Sequence, residues 1–184
     1  MYRGQISRLR YPHARRALRN VDMNTDTQKL CELIGKFRTA MLVTRELHGL
    51  NTVPMAVAHV EESGRVWFIT SRESGKAHNL ESDRRVQLIF SDDSSNFLTV
   101  TGDGLVSTDR AKIDELWKEP FKVWFPGGRG DPNIALIAVE PVRAEYWDNS
   151  GFHKLQYLWQ AARAYVTGEQ VKVREGEQHG VLCP

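Results

Sequence analysis

Between Thr39 and Trp147 the chain is a succession of strand-length apolar stretches whose joins are mostly short. They read Thr39 to Arg45, Thr52 to Val60, Arg65 to Thr70, Arg84 to Ser91, Phe97 to Ser107, Asn133 to Val139 and Arg143 to Trp147. A parallel neighbour needs a crossover of about a dozen residues or more, and most of these links are shorter. The pattern therefore predicts a mainly β fold: an antiparallel barrel of six to seven strands with small helices outside it.

Punctuation along the chain supports that reading. His48, Gly49 and Asn51 mark a first turn and Ser63–Gly64 a second, so the second and third stretches form the clearest hairpin. Pro54 requires an edge or a bulge, and Pro141 breaks the last two stretches apart. Gly102 and Gly104 suggest a bulge or sharp bend. Helices are expected from Thr25 or Asp26 onward (Leu30, Leu33, Ile34 and Phe37 at helical spacing), over Gly75 to Ser82, after Asp109 (Ile113, Leu116, Trp117), and over residues 152–167. The end of the chain reads as polar and loose.

At 184 residues the chain suits one domain with tails. Its formal charge of +2 hides an asymmetry: residues 1–22 hold six arginines and one acid, contributing +5 and leaving −3 elsewhere. Such an arm can bind phosphates, or it can be a disordered extension with the natural start at Met23. The body lacks a basic stripe, so nucleic acid is not expected as its main partner. The organisation read from the sequence is thus a basic extension (1–22), one domain (23–168) and a polar tail (169–184). No apolar run approaches the ~20 residues of a membrane span, the first segment lacks a signal-type apolar centre, and Cys31 and Cys183 are too few for a disulfide framework. A cytoplasmic protein is expected, Cys31 packed and Cys183 free. The histidines show no metal-ligand spacing; His59 and His78 are more readily structural or exposed than catalytic. Arg129-Gly130-Asp131, set among glycines and prolines, reads as a polar turn.

The stretch VWFITSRESGKAHNL, Val66 to Leu80, carries the chemistry. A strand delivers Thr70 and Ser71 to its end, and Ser74, Gly75 and Lys76 open a helix. Free amides and the helix dipole favour an anion there. The hydroxyls can donate to phosphate, Gly75 lets the backbone approach, and Lys76 supplies a charge, with Arg72 as a second cation. An ordinary capped helix with surface charges is the competing reading. A nucleotide-triphosphate loop is excluded, because Thr70 and Ala77 stand where that pattern needs Gly and Ser or Thr.

FITSRESGKA resembles the phosphate-binding strand and helix of the pyridoxamine phosphate oxidase-like, FMN-binding split barrels. The run LWKEPFKVWFPGGRGDPNIALIAVEPVRAEYWD, Leu116 to Asp148, resembles the general stress protein 26 branch, and the likeness extends from Met23 to about Gly168. The resemblance implies a split barrel that binds FMN and forms a homodimer with its flavin sites between subunits. It sets Pro54, Met55, Ala56 and Val57, followed by Ala58 and His59, beside the flavin ring. Ile69 and Thr70 would meet the ribityl chain and phosphate, and Lys76 the phosphate. Gly75 stands where the oxidase proper has arginine and Phe97 near its glutamine, and the chain ends EGEQHGVLCP without the oxidase's arginine and histidine segment. True pyridoxamine phosphate oxidase activity is thus not expected. Trp117, Trp124 and Phe125 lie on a segment that can reach the groove; Trp124 either meets the ring or, like the others, packs. The expected functions are a flavin-dependent oxidoreductase with a small-molecule electron donor or substrate, or a non-enzymatic flavin sensor, carrier or store.

Overall fold

The computed structural model describes residues 19–93, 96–147 and 179–184, with side-chain environments from Thr25 onward. Its elements are α1 (Arg19–Ile34), β1 (Thr39–Glu46), β2 (Gly49–Ala56), β3 (His59–Val60), β4 (Val66–Ser71), α2 (Gly75–Ser82), β5 (Arg85–Ser91), β6 (Phe97–Ser107), α3 (Arg110–Leu116), β7 (Ile134–Trp147) and β8 (His179–Leu182). All strand pairings are antiparallel, in the order β2-β1-β5-β6-β7-β4-β3, with β8 on the far half of β7. The sheet curls into a half-barrel with helices at its periphery, which is the fold class the short joins dictate.

Several boundaries differ from the sequence expectation. The β1–β2 turn is only Leu47–His48, because Glu46 pairs directly with Gly49; Gly49 and Asn51 are already strand. Thr52 to Val60 is not one strand. The chain bends at Val57 and Ala58, whose amides donate to Arg38 O (2.9 Å) and Trp67 O (2.8 Å). Pro141 does not divide two strands either: β7 runs through it for 14 residues. Its partner on β6 slips between Thr101 and Gly102, so Thr101 faces Arg143 and Gly102 faces Pro141. A Cβ on Gly102 would lie 2.0 Å from the Glu140 carbonyl oxygen, so glycine makes this bulge possible. Pro141 also falls between the stretches of β7 that pair with β4 (to Val139) and with β8 (from Ala144), where no second ladder needs its missing N–H.

Helix α1 begins at Arg19, ahead of the caps expected at Thr25 or Asp26. Within the polar end, His179–Leu182 is not loose: it forms β8, and the Cys183 amide donates to Asp26 Oδ2 (3.1 Å). The helix expected over 152–167, most of the basic arm and residues 169–178 lie outside the described residues. Among the described residues no helix is long and apolar enough to cross a membrane.

Two cores result. One fills the curl of the sheet, where Leu30, Ile34, Leu42, Phe68, Leu88, Phe90 and Val139 are buried. The other lies on the opposite side of β4 and β7, where α3 and the following segment bring Ile113, Leu116 and Phe125 onto Trp67, Ile134, Leu136 and Ala138. Covered on both faces, Ile134 to Val139 is buried throughout, which explains its unbroken apolar run.

Candidate functional site

Helix α2 is held against the sheet by its own sequence. Ser74 caps it, accepting from the Ala77 amide, while Ala77 and Leu80 face inward. Leu80 seats against Gly104, where a Cβ would come within 2.8 Å of Leu80 Cδ2. Asn79 Nδ2 donates to the buried Thr44 Oγ1 (3.1 Å), fixing the helix to β1. The start of α2 is therefore placed at the end of β4, beside β2.

The chain between α3 and β7 closes the third side. Glu119–Val123 and Gly128–Gly130 form 3-10 turns, and their aromatics make a cluster: Trp117 meets Phe121 (5.9 Å) and Phe125 (6.4 Å), and Phe121 meets Trp124 (6.4 Å). Lys118 Nζ donates to the Ala58 carbonyl (3.0 Å), tying this strap to the β2–β3 bend. Trp124 remains 66% exposed. Arg129 sits in the second of these turns and Asp131 just past it, its amide donating to the Gly128 carbonyl.

Together these elements enclose a cavity of about 380 Å³. Of the residues singled out in the sequence, Pro54, Met55, Ala56, Ile69, Thr70, Ser71, Lys76, Trp124 and Phe125 line it, joined by Phe121 and Asn133. Three do not. Val57 packs against the main core, Ser74 is engaged in its cap and in a 3.1 Å contact with Thr70 Oγ1, and Gly75 is exposed beside the cavity. Arg72 is exposed and faces a different groove. Phe97 stands exposed at the start of β6.

Asn133 is the residue that sequence reasoning missed most plainly. Ser71 Oγ donates to its Oδ1 (3.1 Å), and the Arg72 amide donates to its carbonyl (2.8 Å). The pairing of Ser71 with Ile134 brings it there, and no local motif announces that register.

The electrostatics centre on Lys76. Among the described residues it has no hydrogen-bond or ion-pair partner, and burial pushes its ammonium below the ordinary value of 10.5. A half-buried cation without a counter-charge is costly unless an anion joins it. His59 and His78 are exposed, the latter with Nδ1 3.1 Å from Ser74 O, and neither lines the cavity. Cys31 and Cys183 are free thiols; Cys31 is half-buried, its Sγ directed at Glu61 O (3.4 Å), and burial pushes its pKa up. Among the described residues no group of three or more metal-ligating side chains converges.

The lining of this cavity fits a flavin nucleotide in its chemistry. Pro54, Met55, Ala56, Ile69 and the strap aromatics offer apolar and π surface for a fused ring. Thr70 and Ser71 offer hydroxyls, and unpaired Lys76 offers the charge for a phosphate. Pockets of several hundred Å³ lined in this way are typical of cofactor sites.

Comparison with known proteins places the family. The family described as "Pyridoxamine 5'-phosphate oxidase like" matches residues 25–172. Protein bli-3 of Neurospora crassa is 31% identical over 102 residues, covering 50% of this chain and 49% of that protein, so the match spans about half of that relative. General stress protein 26 of Bacillus subtilis is 23% identical over 118 residues, 62% of this chain and 82% of its own. Among solved structures, the general stress FMN/FAD-binding protein of Xanthomonas citri is 28% identical, with a TM-score of 0.58 over 71% of this chain and 90% of its own. A curled antiparallel sheet, a cavity with an unpaired lysine at one end, and a family match across most of the chain lead to one conclusion: this protein belongs to the pyridoxamine 5'-phosphate oxidase-like family, among relatives of the general stress protein 26 type.

Proposed function

We propose that the chain binds FMN in the cavity bounded by β2, β4, α2 and the aromatic strap, and acts as a flavin-dependent oxidoreductase on a small molecule. One observation carries this reading: Lys76, half-buried and without a partner among the described residues, lines a cavity with hydroxyls beside it and apolar and aromatic groups around it. Lys76 holds the phosphate, with Thr70 and Ser71 as hydroxyl donors beside it. Ile69 and the Pro54–Ala56 edge of β2 flank the ribityl chain and ring, and Trp124 covers the ring from the strap. Bound FMN supplies hydride or single-electron transfer. The chain's residues bind and orient it, and the strap excludes water from one side.

The working unit in this reading is a homodimer that completes the flavin site between its subunits. Pro54, Met41 and Ile89 are successive cross-strand partners on the outer face of the sheet, so an apolar row leads from the cavity across β1 and β5. Met41 is 37% and Ile89 36% exposed, a surface suited to a second copy. The two free thiols accord with a cytoplasmic location.

A second reading also has support. Among the described lining residues Lys76 is the sole titratable side chain, which favours a flavin carrier, sensor or store over a catalyst needing an acid or base. An absorption spectrum of the purified protein, followed by FMN titration, tests flavin binding; a colourless protein indifferent to added FMN rejects it. Turnover of reduced nicotinamide with an electron acceptor then separates enzyme from carrier.

A further inference from the structure

Thr70 and Ser71 face the same end of the cavity, but their protons go in different directions. Thr70 Oγ1 lies 3.1 Å from Ser74 Oγ, which itself accepts from the Ala77 amide. Ser74 does not line the cavity, so its proton goes to Thr70 and the Thr70 proton is left for a ligand. Ser71 Oγ accepts from the Glu73 amide (3.2 Å) and donates to Asn133 Oδ1 (3.1 Å), so its single proton is already committed within the protein. The donor at that corner is therefore carried by Asn133. Its carbonyl accepts from the Arg72 amide (2.8 Å), its backbone N–H donates to Asp131 Oδ1 (2.9 Å), and its Oδ1 takes the Ser71 proton. Among the described residues Nδ2 is the one polar atom of Asn133 without a partner. Asn133 stands between the cavity and the groove that Arg72 faces, and its bond to Ser71, which lines the cavity alone, sets the side chain on the cavity side.

Resting on the flavin reading above, we infer that Asn133 is a specificity-determining residue of the cavity: held through its other three polar atoms, it donates from Nδ2 to the phosphate monoester and so separates FMN from riboflavin. Ser71 serves the phosphate through Asn133, as a positioning residue. Its hydrogen bond settles which way the side-chain amide faces. Turned over, that amide would present bare Oδ1 to an anion and leave the Ser71 proton without its acceptor. Charge also calls for such a donor. The phosphate of FMN carries between about −1.5 and −2 at neutral pH. Lys76, the sole titratable side chain among the described lining residues, supplies one positive charge. Neutral donors then satisfy the remaining oxygens, and Thr70 and Asn133 are placed to do so. A side chain already tied to β4 and to the turn before β7 loses little freedom on binding, which favours the ligand that uses it.

The test is a fluorescence titration of the full-length protein, stripped of flavin, with FMN and with riboflavin. Asn133→Leu removes the donor at similar volume and is expected to weaken FMN roughly tenfold. Asn133→Asp keeps the shape and the acceptor for Ser71 but sets an anion beside the phosphate. It is expected to weaken FMN by roughly a hundredfold, with part of the loss recovered at high salt. Ser71→Ala, which frees the side-chain amide to turn, is expected to weaken FMN in the same selective way, and Ser71→Thr to restore it. Riboflavin affinity is expected to stay within about twofold of wild type throughout, which a purely structural role would not spare. Equal losses for FMN and riboflavin, or FMN affinity indifferent to Asn133→Leu, overturn the inference and leave the flavin site standing. Failure of the wild type to bind either flavin overturns both.

Discussion

Lys76 is half-buried with no partner among the described residues, an arrangement that favours a neighbouring anion. Lys76→Ala is expected to weaken FMN binding by about 1–3 kcal/mol, the range of a charge-assisted hydrogen bond, and to leave riboflavin binding unchanged; parallel fluorescence titrations check this. The pH dependence follows from the direction of the shift. Burial lowers the lysine's pKa in the free protein, so as pH rises the ammonium is lost below the ordinary value of 10.5. FMN affinity should therefore fall on the alkaline side earlier than an exposed lysine would dictate, while riboflavin affinity shows no such step. At this scale the sequence was partly legible. Thr70 and Lys76 stand out in FITSRESGKA because strand, turn and helix start are local. Asn133 and Phe121 do not: one reaches the cavity through the register of β4 on β7, and the other through a 3-10 turn. Only the first depends on a pairing between distant parts of the chain; the second lies in a segment whose aromatics read equally as packing.

Among the elements, α2 shows how a backbone requirement sets a site. Gly104 lets Leu80 close onto the sheet, and that contact positions the helix carrying Lys76. Gly104→Val should overpack this contact and cost about 1–3 kcal/mol of stability, read as a lower urea midpoint with an unchanged m-value. FMN affinity should fall with it as α2 is displaced. The glycine pair was legible as a sign of irregular backbone, but the two glycines do different things. Gly102 forms the bulge opposite Pro141, while Gly104 clears space for a side chain 24 residues earlier in the chain. Pro141 misleads for a related reason: a proline reads as a break until its place between two ladders is known.

For the whole molecule, the antiparallel architecture was readable because link lengths restrict topology before any packing is known. The extent of the sheet was not, since β8 comes from a short segment that gains its partner only when β7 is in place. The outer face makes its own prediction. Ile89→Lys sets a charge in the apolar row beside Met41, and it should convert the proposed dimer to monomer in light scattering. Flavin affinity should drop alongside, if the second copy completes the site. A variant that stays dimeric and binds flavin as wild type does places the interface elsewhere.

Strand β7 belongs to three ladders at once, with β6 along its length, β4 on its first half and β8 on its second. An inserted residue early in it would invert the facing of everything downstream, dislodging the second core and the β8 ladder together. The segment between α3 and β7 is tied only at scattered points and can change length without that penalty. The strap that covers one side of the cavity is thus free to change length, while β7, held in register on both edges, is not.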